Sequence, residues 1–115
     1  MPHRKWDLRI RDILTAIDRI LEYTRTLDFE GFRSDTKTFD AVVRNFEIIG
    51  EAAAHLPEGI AADHPEIPWQ DMRDMRNVLS HEYFGINEKI VWETLQNDLR
   101  PLVPLLKDLL RKHGL

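Results

Sequence analysis

Apolar residues recur at steps of three and four positions through most of this 115-residue chain, and nowhere do they alternate regularly with polar residues. Such steps place side chains on one face of an α-helix, whereas a half-buried strand needs a step of two. The clearest series begins at Asp7 and ends where Phe29, Gly31 and Phe32 interrupt it. Its members are Ile10, Ile13, Leu14, Ile17, Ile20, Leu21, Thr24 and Leu27. The pattern predicts an all-α fold that opens with a long helix.

A second helix is predicted to begin near Ser34 or Asp35, since either side chain can accept hydrogen bonds from the free N–H groups of a first turn. It runs to about Leu56. Its apolar seam narrows from phenylalanine and valine to Gly50 and Ala53, where another helix can approach closely. The polar stripe beside the seam is interpreted mainly as solvent-exposed rather than functional. That stripe contains Arg44, Glu47, Ile48, Glu51 and His55.

A proline-rich connector separates this helix from the next. It contains Pro57, Gly59, Pro65 and Pro68. Turn-forming residues at this density predict a loop of about ten residues, with a single helical turn at 59–63. Proline suits the first turn of a helix because its missing N–H needs no partner there. A third helix is therefore predicted from Trp69 to about Ser80.

Two helical segments are predicted in the last third of the chain. Gly85 can end one helix and Asn87 can cap the next. Because Pro101 lacks the N–H of the helical ladder, we expect a break there and a fifth helix from about Arg100, capped by Asp98. This segment has more apolar residues than one stripe holds, which predicts burial of part of it by a partner chain. They are Leu102, Val103, Leu105, Leu106, Leu109 and Leu110.

These patterns predict a four-helix up-and-down bundle, in one domain covering 1–115, with a short connector helix and a kinked or split C-terminal helix. No apolar run approaches the roughly 18 residues that a membrane span needs. The basic N-terminus lacks a following apolar region typical of a secretory signal, so a cytoplasmic location away from membranes is expected. The absence of cysteine excludes disulfides, thiolate metal sites and a cysteine nucleophile.

The net charge of −4 is atypical of a DNA-coating protein, because such proteins carry a strong basic excess. It leaves room for a compact RNA site. Residues 28–67 hold nine acidic and three basic side chains. Any phosphate contact is therefore expected from the N-terminal helix, from 68–84 or from the C-terminal third.

The motifs of several enzyme classes are missing, among them a glycine-rich phosphate loop, a His-Glu-x-x-His zinc pair and a Gly-x-Ser-x-Gly elbow. Four of the five histidines are scattered among turns, termini and the polar stripe, and surface roles are predicted for them. They are His3, His55, His64 and His113. No metal site and no cofactor are predicted.

The exception is the segment from Arg76 to Tyr83, in which a permanent cation, His81 and a phenol lie within eight residues. Histidine can take the proton of a ribose 2′-hydroxyl or protonate a leaving oxygen, while arginine holds the phosphate. No metal is then required. The alternative is an arginine and a histidine at a helix C-terminus, where cations are favoured anyway. Arg76 and His81 lie about 140° apart on an ideal helix, so they converge only where the helix bends or ends.

Arg76-x4-His81-x-Tyr83 resembles the R-x4-H-x-Y signature of HepT-like toxins, a branch of the HEPN (higher eukaryotes and prokaryotes nucleotide-binding) superfamily. Other blocks are similar to this family in the same order, and together they cover most of the chain. They are 44–53, Ile67-Pro68-Trp69, Tyr83-Phe84-Gly85, Ile90-Val91-Trp92 and Asp98-Leu99.

The resemblance implies a metal-independent ribonuclease toxin of a two-gene toxin–antitoxin system. Similar proteins form homodimers in which both R-x4-H elements meet in one cleft, and some attack transfer RNA. Their antitoxin, MNT, is a minimal nucleotidyltransferase that attaches AMP to the tyrosine of the signature. On this chain Arg76 would bind phosphate, His81 would transfer the proton, and Tyr83 would accept AMP.

Supporting roles follow from the same resemblance. Asn77 would make the cleft polar and Glu51 would form a helix-to-helix bond. RNA affinity would come from basic clusters of both protomers rather than from net charge. The candidate basic residues are Arg4, Lys5, Arg9, Arg11, Arg73 and Arg76. The alternative function is a non-catalytic helical module that binds a nucleotidyltransferase or a nucleotide, and the distinguishing feature is whether Arg76 and His81 face a shared cleft.

Overall fold

The computed structural model describes residues 5–80 and 87–115, except for the side chains of 77–80. These residues form helices and connecting turns without a strand, which confirms the all-α prediction. The helices are α1 (Trp6–Thr24), α2 (Phe29–Ser34), α3 (Thr36–Ala54), α4 (Glu58–Asp63), α5 (Trp69–Ser80), α6 (Glu88–Asn97) and α7 (Leu99–Lys112). None of the described helices combines the length and the hydropathy needed to cross a membrane.

Helix α3 packs along both α1 and α5, while α7 packs against α1 and α6. The predicted stripe of α1 faces this core, and four of its isoleucines are fully buried. They are Ile10, Ile13, Ile17 and Ile20. Burial of side chains of this size supplies most of the favourable free energy of folding. The helix that carries Arg76 is thus held by α3, whose other side packs on α1.

Two of the predicted helix caps are present. Asp35, rather than Ser34, caps α3 and accepts a hydrogen bond from the Thr38 N–H at 3.1 Å. The backbone and side-chain hydrogen bonds from Thr38 lower the pKa of the Asp35 carboxyl below its usual value. Asn87 caps α6, where its side-chain oxygen accepts from the N–H groups of Lys89 and Ile90. Each cap satisfies donors that the first helical turn leaves without partners.

The short helix α2 was not predicted, since the sequence shows only an interruption there. Its cause is tertiary, because Phe32 is fully buried and its ring lies 5.4 Å from that of Phe39 and 5.2 Å from that of Trp92. Asp28 begins the helix by accepting from the Gly31 N–H at 2.8 Å. The aromatic contacts therefore fix a turn that local pattern alone does not specify.

The split between the last two helices is confirmed, since α6 ends at Asn97 and α7 begins at Leu99. Pro101 lies in the first turn of α7, where its missing N–H needs no partner. The predicted cap is wrong in one respect. Asp98 occupies the N-cap position, but its side chain makes no capping hydrogen bond. Its backbone N–H instead donates to the Thr94 carbonyl at 2.9 Å and so belongs to the end of α6.

The apolar surplus of α7 is covered by the chain itself. Leu102, Leu106, Leu109 and Leu110 are buried in the core, and two further residues, Val103 and Leu105, are partly buried against it. The single chain therefore accounts for most of this burial, and burial by a partner chain stays a prediction. The homodimer stays a prediction that depends on the family resemblance.

The surface role predicted for His64 is wrong. Its imidazole is buried, with Nε2 3.1 Å from Nε2 of His113 and Nδ1 3.3 Å from a carboxylate oxygen of Glu66. A carboxylate only accepts, so Nδ1 of His64 donates to Glu66. Trp69 adds a hydrogen bond from its indole N–H to the His64 carbonyl at 3.0 Å. These contacts join the connector before α5 to the end of α7, whereas His55 is exposed, as predicted.

Candidate functional site

The site begins at the contact between α3 and α5, where Gly50 lies against Arg76. A Cβ atom added to Gly50 would lie 2.6 Å from Cβ and 2.9 Å from the backbone nitrogen of Arg76. Atoms of a well-packed interior do not approach so closely, so only glycine allows the two helix backbones to meet here. The close approach predicted from the small-residue seam is confirmed, and it fixes where the Arg76 side chain leaves α5.

Arg76 is held by an ion pair across the two helices. Its Nη1 donates to Oε2 of Glu51 at 2.6 Å, the length of a charge-assisted hydrogen bond. This hydrogen bond is the main reason why the pKa of the Glu51 carboxyl is lowered, with smaller contributions from the charges of His55 and Arg9. Both side chains remain about half exposed, so the pair contributes at most ~1 kcal/mol to stability. The helix-to-helix bond expected of Glu51 is present.

The ion pair lines an open groove of about 380 Å³ between α1, α3 and α5. Helix α1 contributes Arg9 and Asp12, and α5 contributes Arg76. Helix α3 contributes most of the predicted polar stripe, namely Arg44, Glu47, Ile48 and Glu51, together with Ala52. Among the described residues of the groove, three arginines therefore accompany three carboxylates, and their charges balance. The stripe is largely exposed, as expected, but its surface is concave.

Arg73, one turn before Arg76, does not line the groove. Its Nε donates to the carbonyl of Ala53 at 3.5 Å, near the C-terminal end of α3. A cation is favoured there because the last carbonyls of a helix lack intrahelical partners. Arg11 is also directed elsewhere, with its guanidinium 4.0 Å from Asp7 on the exposed face of α1. Of the proposed basic cluster, the structure brings Arg9 and Arg76 together.

Several residues singled out in the sequence, including predicted site residues, lie outside the described residues. They are His3, Arg4, His81, Tyr83 and Gly85, while Asn77 lies in α5 without a described side chain. The assignments of proton transfer to His81, of AMP acceptance to Tyr83 and of cleft polarity to Asn77 therefore stay predictions. In the part of the chain that the structure covers, no three histidine or carboxylate side chains are grouped so that they could hold a metal ion.

Sequence reasoning missed the groove itself. Arg44, Glu47 and Glu51 follow at steps of three and four, so their common face on α3 could be read from the sequence. The position of Asp12 on the opposite wall could not, because it depends on how α1 packs against α3. The signal that was available is the series of charged residues on one face of α3.

The chain matches the model of the family described as "Ribonuclease HepT-like" over residues 13–109. It therefore belongs to the HepT-like ribonuclease family. The matched part includes the α3 and α5 residues of the groove and the R-x4-H-x-Y signature. Membership of this family supports a ribonuclease role for the chain.

Individual relatives agree with this assignment. The chain is 45% identical over 93 residues to a "Probable ribonuclease HepT" of Thermococcus cleftensis, which covers 81% of this chain and 84% of the relative. It is 36% identical over 113 residues to a "Putative RNase" of Methanocaldococcus jannaschii, with 95% and 93% covered. A "Putative RNase" of Caldanaerobacter subterraneus is 37% identical over 103 residues, with 90% and 92% covered. No solved structure matches the chain.

Proposed function

We propose that this chain is a metal-independent endoribonuclease and the toxin of a toxin–antitoxin system, with Arg76 and His81 as its catalytic residues. The observation that carries the proposal is the Arg76 guanidinium, held at an open groove by Glu51 in a HepT-like ribonuclease. A guanidinium has five N–H donors, and the bond to Glu51 leaves others for a phosphate.

The proposed reaction divides between the two residues. Arg76 binds the phosphate and stabilises the negative charge that builds on it. His81 removes the proton of the ribose 2′-hydroxyl, whose oxygen attacks phosphorus, while the bond to the 5′-oxygen breaks and that oxygen takes up a proton. The products are a 2′,3′-cyclic phosphate end and a 5′-hydroxyl end. A two-fold dimer would supply a second histidine as the acid, because each residue is repeated across the axis.

The decisive experiment is cleavage of total bacterial RNA, including transfer RNA, by purified protein in EDTA. The wild-type protein should cleave, His81→Ala should not, and Arg76→Ala should cleave about 100- to 1,000-fold more slowly, as expected for loss of a donor to developing charge. His113→Ala is the matched control, since its imidazole contacts His64 away from the groove. Cleavage by His81→Ala at the wild-type rate would refute the assignment. If folded wild-type protein binds its partner without cutting, the non-catalytic module is the better function.

We further propose that a minimal nucleotidyltransferase neutralises the toxin through Tyr83. The phenol oxygen would attack the α-phosphate of ATP, form a phosphodiester to AMP and release pyrophosphate. The added nucleotide brings negative charge and bulk to a position two residues from His81, where RNA must pass.

Replacement of Tyr83 by phenylalanine tests this step. Tyr83→Phe should keep its RNase activity. It should acquire no label from the cognate nucleotidyltransferase and ATP labelled at the α-phosphate. Its toxicity should persist when the variant and the nucleotidyltransferase are expressed together. Tyr23→Phe is a suitable control because Tyr23 is an exposed tyrosine on α1. Equal labelling of Tyr83→Phe and of wild type would show that the acceptor lies elsewhere.

A further inference from the structure

The groove extends beyond Arg76 to two further arginines, Arg9 on α1 and Arg44 on α3. We propose that Arg9 and Arg44 each bind a phosphate of the RNA strand next to the phosphate bound at Arg76, and we call these two positions together the second phosphate subsite. The inference rests on the proposed ribonuclease function and names the path of its substrate. Arg9 precedes residues 13–109, the part matched to the family, so membership alone assigns it no role.

Arg44 is placed and paired so that a phosphate can reach it. It lies seven residues before Glu51 on the same face of α3, which corresponds to about 10 Å along the helix axis. Its side chain is 71% exposed, and its Nη1 lies 3.5 Å from Oε2 of Glu47. Exposed pairs three residues apart contribute little free energy, whereas a phosphate can accept two hydrogen bonds from one guanidinium. RNA can therefore replace Glu47 as the partner of Arg44.

Arg9 faces the same groove from α1. It is half-buried, and its charge is close enough to contribute to the lowered pKa of Glu51. Glu51 is also the partner of Arg76, so the charges of Arg9 and Arg76 both act on one carboxylate. The groove thus presents guanidinium groups at Glu51 and again two helical turns earlier at Arg44.

The spacing favours a strand over a single nucleotide. Positions about 10 Å apart along α3 are too far apart for one phosphate to contact both, so they would bind different phosphates of one strand. The balanced charge of the groove gives no general attraction for anions, and binding must come from guanidinium groups that match successive phosphates. The ligand inferred is a single-stranded RNA segment of at least three nucleotides.

The test measures RNA binding by protein that carries His81→Ala, so that the substrate stays intact. An oligouridine of about twelve nucleotides is titrated by fluorescence anisotropy between about 50 and 200 mM salt. Arg9→Gln and Arg44→Gln should each weaken binding about tenfold and reduce the slope of log Kd against log salt by about 0.7, the value for one phosphate of a single strand. Arg25→Gln, an exposed arginine at the end of α1, should change neither quantity.

A variant of opposite sign strengthens the test. Glu47→Gln removes the carboxylate that competes for Arg44, so it should bind RNA several-fold more tightly, without the loss of fold that could explain a weaker variant. Unchanged affinity and salt slope in both arginine variants would overturn the subsite. An equal loss of affinity for AMP in these variants would also overturn the subsite, because a mononucleotide cannot span the two positions.

The subsite and the catalytic proposal fail in different ways. If the wild-type protein cleaves RNA but Arg9→Gln and Arg44→Gln leave KM unchanged, the subsite is wrong and the ribonuclease stands. If the wild-type protein does not cleave RNA, while the arginine variants still weaken oligouridine binding, the catalytic proposal is wrong and the subsite stands as an RNA-binding groove.

Discussion

Helix α5 borders two grooves of nearly equal volume and opposite chemistry. The polar groove, about 380 Å³, contains Arg76 and its partner Glu51. The apolar groove, about 370 Å³, lies between α5, α6 and α7 and has Met72 and Met75 in its wall. Arg76 follows Met75 directly in sequence, and successive residues of a helix point about 100° apart. One helix thus separates a surface suited to phosphate from a surface suited to apolar contact.

The comparison shows that charge, rather than cavity size, distinguishes the candidate RNA site. Three aspartates lie around the apolar groove, and the part of its lining that the structure describes contains no arginine or lysine. They are Asp71, Asp74 and Asp98. Like charges would repel a phosphate from that side, whereas arginines offer it partners on the other. Because α5 is common to both grooves, substitutions on its two sides should separate stability from RNA cleavage.

The largest effect on stability is expected on the apolar side. Met72 is fully buried, so Met72→Ala leaves a cavity and should lower the free energy of unfolding by about 2–5 kcal/mol. Chemical denaturation measures this loss. The control is Ile90→Ala in the same groove, where the side chain is 45% exposed and the loss should be much smaller. RNA cleavage per folded molecule should persist in Met72→Ala, and its loss would show that the two grooves are coupled.

A smaller loss of stability with a larger effect on the site is expected at Gly50. The added methyl group of Gly50→Ala would meet the backbone of Arg76, so α5 must move away from α3. Overpacking of this kind costs about 1–3 kcal/mol, and displacement of Arg76 should lower RNA cleavage as well. Gly59→Ala is the matched control, because a Cβ at Gly59 meets no atom within 4 Å. Equal unfolding midpoints for Gly50→Ala and wild type would contradict the close helix contact.

The contact at Gly50 also shows which parts of the molecule the sequence can predict. Helical periodicity predicted α1, α3 and α5, and the small-residue seam predicted where α5 approaches. These features depend on residues close in sequence. The contact between His64 and His113 joins residues 49 positions apart, and no local pattern indicates it. The contact between Phe32 and Trp92, which buries Phe32 in α2, likewise joins residues far apart in sequence that no local pattern brings together.

The site shows the same division. The resemblance to HepT-like proteins singled out Arg76 and Glu51, and the structure joins them. It did not indicate that Arg73, one turn away, is directed to the end of α3. Arg44 lines the groove because of how α1 packs against α3. No local pattern of the sequence indicates that packing. The Arg76–Tyr83 segment and the family resemblance therefore predicted residues of the site, whereas helix packing decided which residues line the groove.

The smallest expected effect concerns the charge of Glu51. Its pKa is lowered in the folded chain from the model-compound value of 4.5, chiefly because Arg76 donates a hydrogen bond to the carboxylate. The ion pair therefore stabilises the fold fully above about pH 4.5, and this contribution is lost as the pH falls through the lowered pKa. Glu51→Gln should be less stable than wild type by at most ~1 kcal/mol near neutrality, since the pair is half exposed.

Urea denaturation of both proteins between about pH 7 and pH 3 measures this difference. The two stabilities should converge at the acid end, because the wild-type carboxyl is then neutral as well. Glu22→Gln serves as the control, since Glu22 pairs with Arg25, three residues later, at 3.6 Å, and both side chains are exposed. A difference for Glu51→Gln that stays constant with pH would mean that the shape of the side chain, and not its charge, holds Arg76 at the groove.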